Sequence, residues 1–290
     1  MRAYIFTGQG SQFVGMGKEL YERSDLAREF FEKSKDVLGY DLPKLMFEGD
    51  PDELRQTKYA QPAIFLHSVV IAKTTRDFKP DMIAGHSLGE ISALTSSRAL
   101  SFGDGLRLVA ARGEAMQKAC EATPSTMAAV LGLENEEVEE VCSKIEGVTP
   151  ANYNSPGQLV ISGTIEGMDE ASIKLIEAGA RKCIRLNVAG AYHSDIMQSA
   201  VAPFTKALNK LVFKEPICHV YQNVDAQPTL DPDVIKEKLI KQITTPVLWQ
   251  QTIENMLEEG AYSFVEIGPK KVLTNLVRKI TGREIATTLN

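Results

Sequence analysis

The ten residues Asp81-Met82-Ile83-Ala84-Gly85-His86-Ser87-Leu88-Gly89-Glu90 constrain the fold more than any other stretch of the chain. A short apolar run meets a Gly-x-Ser-x-Gly turn, and Ile91-Ser92-Ala93-Leu94 continues as a helix-like segment. A serine in that pattern sits on a tight, strained strand-to-helix turn, because only small neighbours let the backbone bend far enough to push the hydroxyl out of the fold. The following helix aims its free N–H groups, and the positive end of its dipole, at any anion that forms beside Ser87. That suits acyl transfer through a tetrahedral oxyanion. A turn that merely joins a strand to a helix would carry the same residues, so the rest of the chain decides.

Composition bounds the answer. The 290 residues, 43% hydrophobic and 24% charged, suit one large soluble domain with room for a smaller insertion. A net charge of -6 argues against nucleic acid as a general partner. Cys120, Cys142, Cys183 and Cys218 form no Cys-x-x-Cys pair, so neither a metal site nor a disulfide framework is expected, and a reducing cytoplasm is the default. Ala3-Tyr4-Ile5-Phe6 follows the start without an apolar leader, and no run approaches the roughly 18 apolar residues of a membrane helix. Neither export nor a membrane partner is expected.

Ala3–Phe6 reads as a buried strand running into Thr7-Gly8-Gln9-Gly10-Ser11-Gln12. The dinucleotide fingerprint fails because Phe13 stands where the third glycine belongs, and the P-loop pattern fails because Met16 follows Gly15 where lysine is needed. What remains is a loop that can bring a backbone N–H, such as that of Gln9, close to a reacting group. Leu26, Phe30, Phe31 and Val37 predict a core-facing helix over 20–37, and Ile64, Phe65, Val69 and Ile71 another over 61–71, with His67 packed among them. A third helix over 106–120 carries Leu108, Arg112 and Met116 on one face. An arginine in an apolar stripe either pairs with an internal acid or waits for an anionic ligand.

Residues 125–188 follow a βαββαβ rhythm, the order of a ferredoxin-like unit whose first and last strands lie side by side. Such a unit can leave and re-enter a larger domain at neighbouring points. Beyond it, His193 sits beside small residues on a loop entering a helix and is the best candidate base. His86 adjoins Ser87 in a bend that turns neighbouring side chains apart, and His219 lies within an apolar strand. For a triad acid, Asp104 and Asp169 fall between serine and histidine, but neither stands at a convincing strand end.

Gly8-Gln9-Gly10-Ser11-Gln12, Gln61-Pro62-Ala63, Gly85-His86-Ser87-Leu88-Gly89-Glu90, Arg112-Gly113, Asn154-Ser155-Pro156-Gly157-Gln158, Gly190-Ala191-Tyr192-His193-Ser194 and Val265-Glu266-Ile267-Gly268-Pro269 occur in this order over nearly the whole chain. Together they resemble the malonyl-CoA:acyl carrier protein transacylase family of bacterial fatty acid synthesis. The resemblance implies a ping-pong acyltransferase. Ser87, deprotonated by His193, attacks the thioester of malonyl-CoA, the oxyanion rests between the N–H groups of Gln9 and Leu88, and the phosphopantetheine thiol of acyl carrier protein takes the malonyl group from Ser87. Arg112 then forks onto the malonyl carboxylate, and Gln9, Gln61, His86, Asn154 and Tyr192 share the substrate pocket.

The histidine is expected to be oriented by a backbone carbonyl that maps to Leu248, where many members carry a polar residue; Tyr192 replaces a phenylalanine common in malonyl-selective members. The implied architecture is an α/β-hydrolase-like domain with a parallel sheet, residues 1–124 and 189–290, with a ferredoxin-like subdomain inserted at 125–188 and the active site between them. No metal or cofactor is required, coenzyme A entering as the substrate's thioester. A cytoplasmic monomer is expected. An acidic carrier protein calls for a locally basic surface, for which Arg181, Lys182, Arg185, Lys270, Lys271, Arg278 and Lys279 are candidates unless they form solvated faces. The competing readings are a serine esterase with water as acceptor, opposed by Arg112 and the lack of a clear third acid, and a catalytically idle carrier-binding module, opposed by the intact Ser87, His193 and Arg112.

Overall fold

The computed structural model describes residues 1–289. Its larger sheet contains β1 (Arg2–Phe6), β2 (Met82–Gly85), β7 (His219–Tyr221), β8 (Pro228–Thr229), β9 (Ser263–Ile267) and β10 (Ala286–Leu289), in the order β10-β9-β1-β2-β7-β8. Every pairing is parallel except that of β8 with β7. Parallel strands covered on both faces need continuous apolar runs, and Ala3–Phe6 and Met82–Gly85 are buried throughout. The helix Thr57–Thr74 is buried at every residue from Ala60 to Ala72, so it packs as a central pillar rather than as an amphipathic cover.

The smaller sheet holds β3 (Ser125–Leu131), β4 (Val148–Ser155), β5 (Gln158–Thr164) and β6 (Lys182–Arg185), antiparallel in the order β4-β5-β3-β6. Strand alternation divides its residues between two cores. Ala128 and Val130 of β3 join Val138, Cys142, Met168 and Leu175 from the helices Asn135–Ser143 and Ile165–Glu177. Met127 and Val160 face the other way, into the larger core. The backbone of Val247 pairs with that of Ala151 and Tyr153, tying the edge of β4 to the segment just before Trp249.

Three expectations are corrected. The helix over 20–37 is two, Lys18–Arg23 and Asp25–Leu38, because Ser24 is extended and caps the second through Ala27 N–H. Leu26, in the first turn of that second helix, is 47% exposed rather than core-facing. His219 opens β7 on the exposed side, and only Val220 and Tyr221 are buried.

Candidate active site

The elbow follows from what its glycines exclude. A Cβ on Gly85 would overlap the carbonyl of Gly89, and one on Gly89 would overlap the Phe6 carbonyl on the neighbouring strand. Ser87 between them takes φ 54°, a left-handed conformation that side chains adopt at a cost, and its N–H is fixed by Asn223 Oδ1 at 2.8 Å. The helix Gly89–Ser96 starts immediately beyond. Gly8 is held equally close, since a Cβ there would meet the His86 carbonyl oxygen at 2.7 Å, so the Gln9 loop lies against the elbow. Among the described residues neither Gln9 N–H nor Leu88 N–H donates a hydrogen bond, which leaves both free for an oxyanion.

Ser87 Oγ lies 2.8 Å from His193 Nε2 and accepts a hydrogen bond from Arg112 Nη2 at 3.1 Å. His193 is 2% exposed and also has a positive φ, 59°. Its Nδ1 faces the Gln242 carbonyl at 2.9 Å, so Nδ1 carries the proton and Nε2 is free to take one from Ser87. Burial, and then the nearby Arg112 charge, push His193 down to about 3, with the Gln242 carbonyl opposing, so the imidazole is a neutral base at physiological pH.

Here the assignment of Leu248 is corrected. The Leu248 carbonyl accepts from the hydroxyl and N–H of Thr252, while the orienting carbonyl belongs to Gln242 at the C-cap of the helix Pro232–Lys241. Helix C-termini end in carbonyls with no partner in the helix and carry the negative end of the dipole, a favourable neighbour for an imidazolium.

Arg112, on the helix Phe102–Ala122, is 1% exposed and forms no ion pair among the described residues. Nη1 donates to Gln61 Oε1 at 2.9 Å and Nη2 to Gln242 Oε1 at 3.0 Å, while Nε has no partner. Neutral amides thus fix the plane of the guanidinium without neutralising it, and of the two readings open at the sequence level the direct internal pair is absent. Burial lowers Arg112 to about 10, leaving it charged.

Gln9 Oε1 accepts from Gln61 Nε2 at 3.4 Å, and Gln9 Nε2 reaches the Tyr192 hydroxyl at 3.3 Å; that hydroxyl also bonds Thr57 Oγ1. His86 Nε2 pairs with Asn154 Oδ1 at 2.9 Å, and its ring tilts against Trp249. Gln9, Gln61, His86, Asn154 and Tyr192 all line one cleft of about 200 Å³ with Ser87 and His193, between the two sheets. Met116, Met127, Val160 and Val188 give it an apolar wall, and Leu273 and Leu276 another. Asp104 and Asp169 are surface residues paired with Arg107 and Arg185. The residues that sequence reasoning missed are Gln242 and Asn223; no local motif marks them, since each reaches Ser87 from more than a hundred positions away.

A strained serine, a neutral imidazole on its oxygen and two open N–H groups define a serine-dependent acyl-transfer centre. The acyl transferase domain model matches residues 3–287, and the chain belongs to that family. The malonyl CoA-acyl carrier protein transacylase of Bacillus subtilis (strain 168) is 43% identical over 287 residues, covering 97% of this chain and 90% of that protein. Its counterpart from Staphylococcus aureus (strain MRSA252) is 37% identical over 96% of this chain and 92% of that protein. Among solved structures, an acyl carrier protein S-malonyltransferase from Vibrio cholerae superposes with a TM-score of 0.95 at 37% identity, covering 100% of this chain and 96% of that one. A malonyl-transacylase solved in complex with its type II PKS acyl-carrier protein gives 0.96 at 35%, with the same coverage.

Proposed function

We propose that the chain transfers the malonyl group from malonyl-CoA to the phosphopantetheine thiol of acyl carrier protein through a malonyl ester on Ser87, supplying fatty acid biosynthesis. The observation that carries this reading is a buried guanidinium with no direct ion pair among the described residues, Arg112, whose Nη2 lies 3.1 Å from the nucleophile. As Ser87 Oγ bonds to the thioester carbon, His193 Nε2 takes its proton, and the oxyanion is held by Gln9 and Leu88 N–H. Collapse breaks the carbon–sulfur bond, and His193 returns the proton to the coenzyme A thiolate. The carrier thiol then attacks the ester carbon, giving its proton to His193, and collapse breaks the carbon–oxygen bond to Ser87 as His193 passes that proton to Ser87 Oγ. Arg112 forks onto the malonyl carboxylate, which an acetyl group lacks.

The same proposal reads the larger body, residues 1–124 and 189–290, as α/β-hydrolase-like and residues 125–188 as a ferredoxin-like insertion; the β4-β5-β3-β6 order and the insertion's separate core support it. The protein works as a cytoplasmic monomer with no resident cofactor. Lys270 and Lys271, exposed beside Val272 at the rim of the cleft, are the basic residues best placed for an acidic carrier, whereas Arg185 and Arg278 are engaged by Asp169 and Glu284. Peptide mapping after exposure to malonyl-CoA tests the intermediate: the malonyl mass is expected on the peptide holding Ser87, and absent in Ser87→Ala. Free malonate accumulating without an adduct would favour an esterase.

A further inference from the structure

Behind the nucleophile lies a buried carboxyl that none of these steps uses. Glu90, on the helix Gly89–Ser96, is 0% exposed. Its Oε1 accepts from Gln222 Nε2 at 2.9 Å, and Oε2 accepts from Asn223 N–H at 2.8 Å and Gln242 Nε2 at 3.0 Å. Gln242 Nε2 donates as well to the Ser87 carbonyl and to Asn223 Oδ1, both at 3.1 Å, which turns the Gln242 amide so that its Oε1 faces Arg112. The backbone carbonyl of the same Gln242 holds His193 Nδ1. One residue therefore separates Glu90 from the nucleophile, the base and the guanidinium.

The charges explain why a carboxyl belongs there. When His193 takes the serine proton, a buried imidazolium forms beside Arg112, whose outer edge the malonyl carboxylate then occupies. A cation formed out of contact with solvent is unfavourable, and a negative charge behind it offsets that cost and what remains of the repulsion from Arg112. The charged or titratable groups facing Glu90 are Arg112 from the helix Phe102–Ala122 and, across Gln242, His193; Gln222, Asn223 and Gln242 present only amides. Burial lifts the Glu90 carboxyl to about 7, while its donors and Arg112 draw it down.

Resting on the Ser87–His193 reading above, we propose that Glu90 is a positioning residue of the transfer: through Gln242 it sets the carbonyl that orients His193 and the amide that holds Arg112, and it supplies the negative charge against which the imidazolium forms. It stands in, at one remove, for the acid of a serine triad.

Two variants separate charge from shape. Glu90→Gln keeps the shape and removes the charge, and Gln222 Oε1, which has no partner, can turn to meet the new amide. Glu90→Asp keeps the charge and shortens the reach. Single-turnover acylation by malonyl-CoA, followed against pH, is expected to show a wild-type acid limb near pH 7 that moves to lower pH in Glu90→Gln, with the plateau reduced about tenfold or more. Glu90→Asp should retain more activity than Glu90→Gln. An unmoved limb in Glu90→Gln, or a Glu90→Asp less active than Glu90→Gln, assigns Glu90 to packing and overturns the proposal. Should Glu90→Gln not fold, Gln222→Met decides: losing the donor to Glu90 Oε1 should move the acid limb to higher pH, and an unmoved limb overturns the role. If wild type forms no Ser87 adduct, the acyl-transfer reading itself fails; an adduct with an unshifted Glu90→Gln profile removes only the role of Glu90.

Discussion

Arg112→Lys separates the guanidinium's fork from its charge. Gln61 and Gln242 hold the two terminal nitrogens at 2.9 and 3.0 Å, so the plane that receives a carboxylate is set before substrate arrives. Charge-assisted hydrogen bonds contribute about 1.5–3 kcal/mol each, and lysine, a flexible point charge, retains one of the two. Losing the other lowers kcat/KM for malonyl-CoA by about 10- to 150-fold, at roughly 1.4 kcal/mol per factor of ten. Acetyl-CoA has no carboxylate to lose, so its rate should stay within about threefold of wild type. Enzyme mixed with equimolar malonyl-CoA and acetyl-CoA, quenched early and weighed intact, reports both adducts in one spectrum. A malonyl-to-acetyl ratio equal to that of wild type, or both rates falling in parallel, would refute the fork.

Tyr192→Phe strips the hydroxyl that Thr57 and Gln9 share, and a loss of about 1 kcal/mol in denaturant unfolding is expected, with malonyl transfer largely kept; an unchanged midpoint would show that hydroxyl to be idle. Glu266 is buried and accepts the N–H groups of Val272, Leu273 and Thr274 at the start of the helix Val272–Thr281, three of whose residues line the cleft. Glu266→Ala should therefore cost about 1–2 kcal/mol of stability and raise KM, and stability loss with KM unaltered would uncouple the cap from the site. Burial lowers His67 from 6.5 to about 4, so the unfolded chain takes up that proton first. His67 then costs the fold nothing above pH 6.5 and about 3 kcal/mol as pH drops toward 4, the share of the acid decline that His67→Leu should remove in urea titrations at stepped pH, leaving the share of the likewise lowered His193.

What was legible in the sequence is what short-range constraints decide. The elbow declares itself because Gly85 and Gly89 are forced by contacts within the turn and with the adjoining strand, which few other patterns require. The smaller sheet reads clearly because its strands alternate and its helices are amphipathic at ordinary lengths. Where contacts are remote or the signal lies in the backbone, reading fails. Any residue has a carbonyl, so nothing in the side chains at 242 or 248 says which one faces His193; the end of a helix decides it. Glu90 lay within a quoted motif, yet its partners Gln222, Asn223 and Gln242 come together only when β7 and the helix after β8 pack behind the elbow. β8 and β10 are two and four residues long, half of them threonine, so periodicity does not reveal them. Leu26 shows the converse error, an apolar residue at the right spacing that the break at Ser24 turns to solvent.

The most direct test is a single transfer. Enzyme loaded with malonyl-CoA and freed of coenzyme A is mixed with acyl carrier protein bearing its phosphopantetheine arm, and both proteins are weighed over time. The enzyme should lose one malonyl mass as the carrier gains one, with no free malonate and no gain in a parallel run with Ser87→Ala. Release of free malonate from the loaded enzyme with the carrier unmodified, or a carrier acylated as fast by Ser87→Ala, would contradict covalent transfer through Ser87.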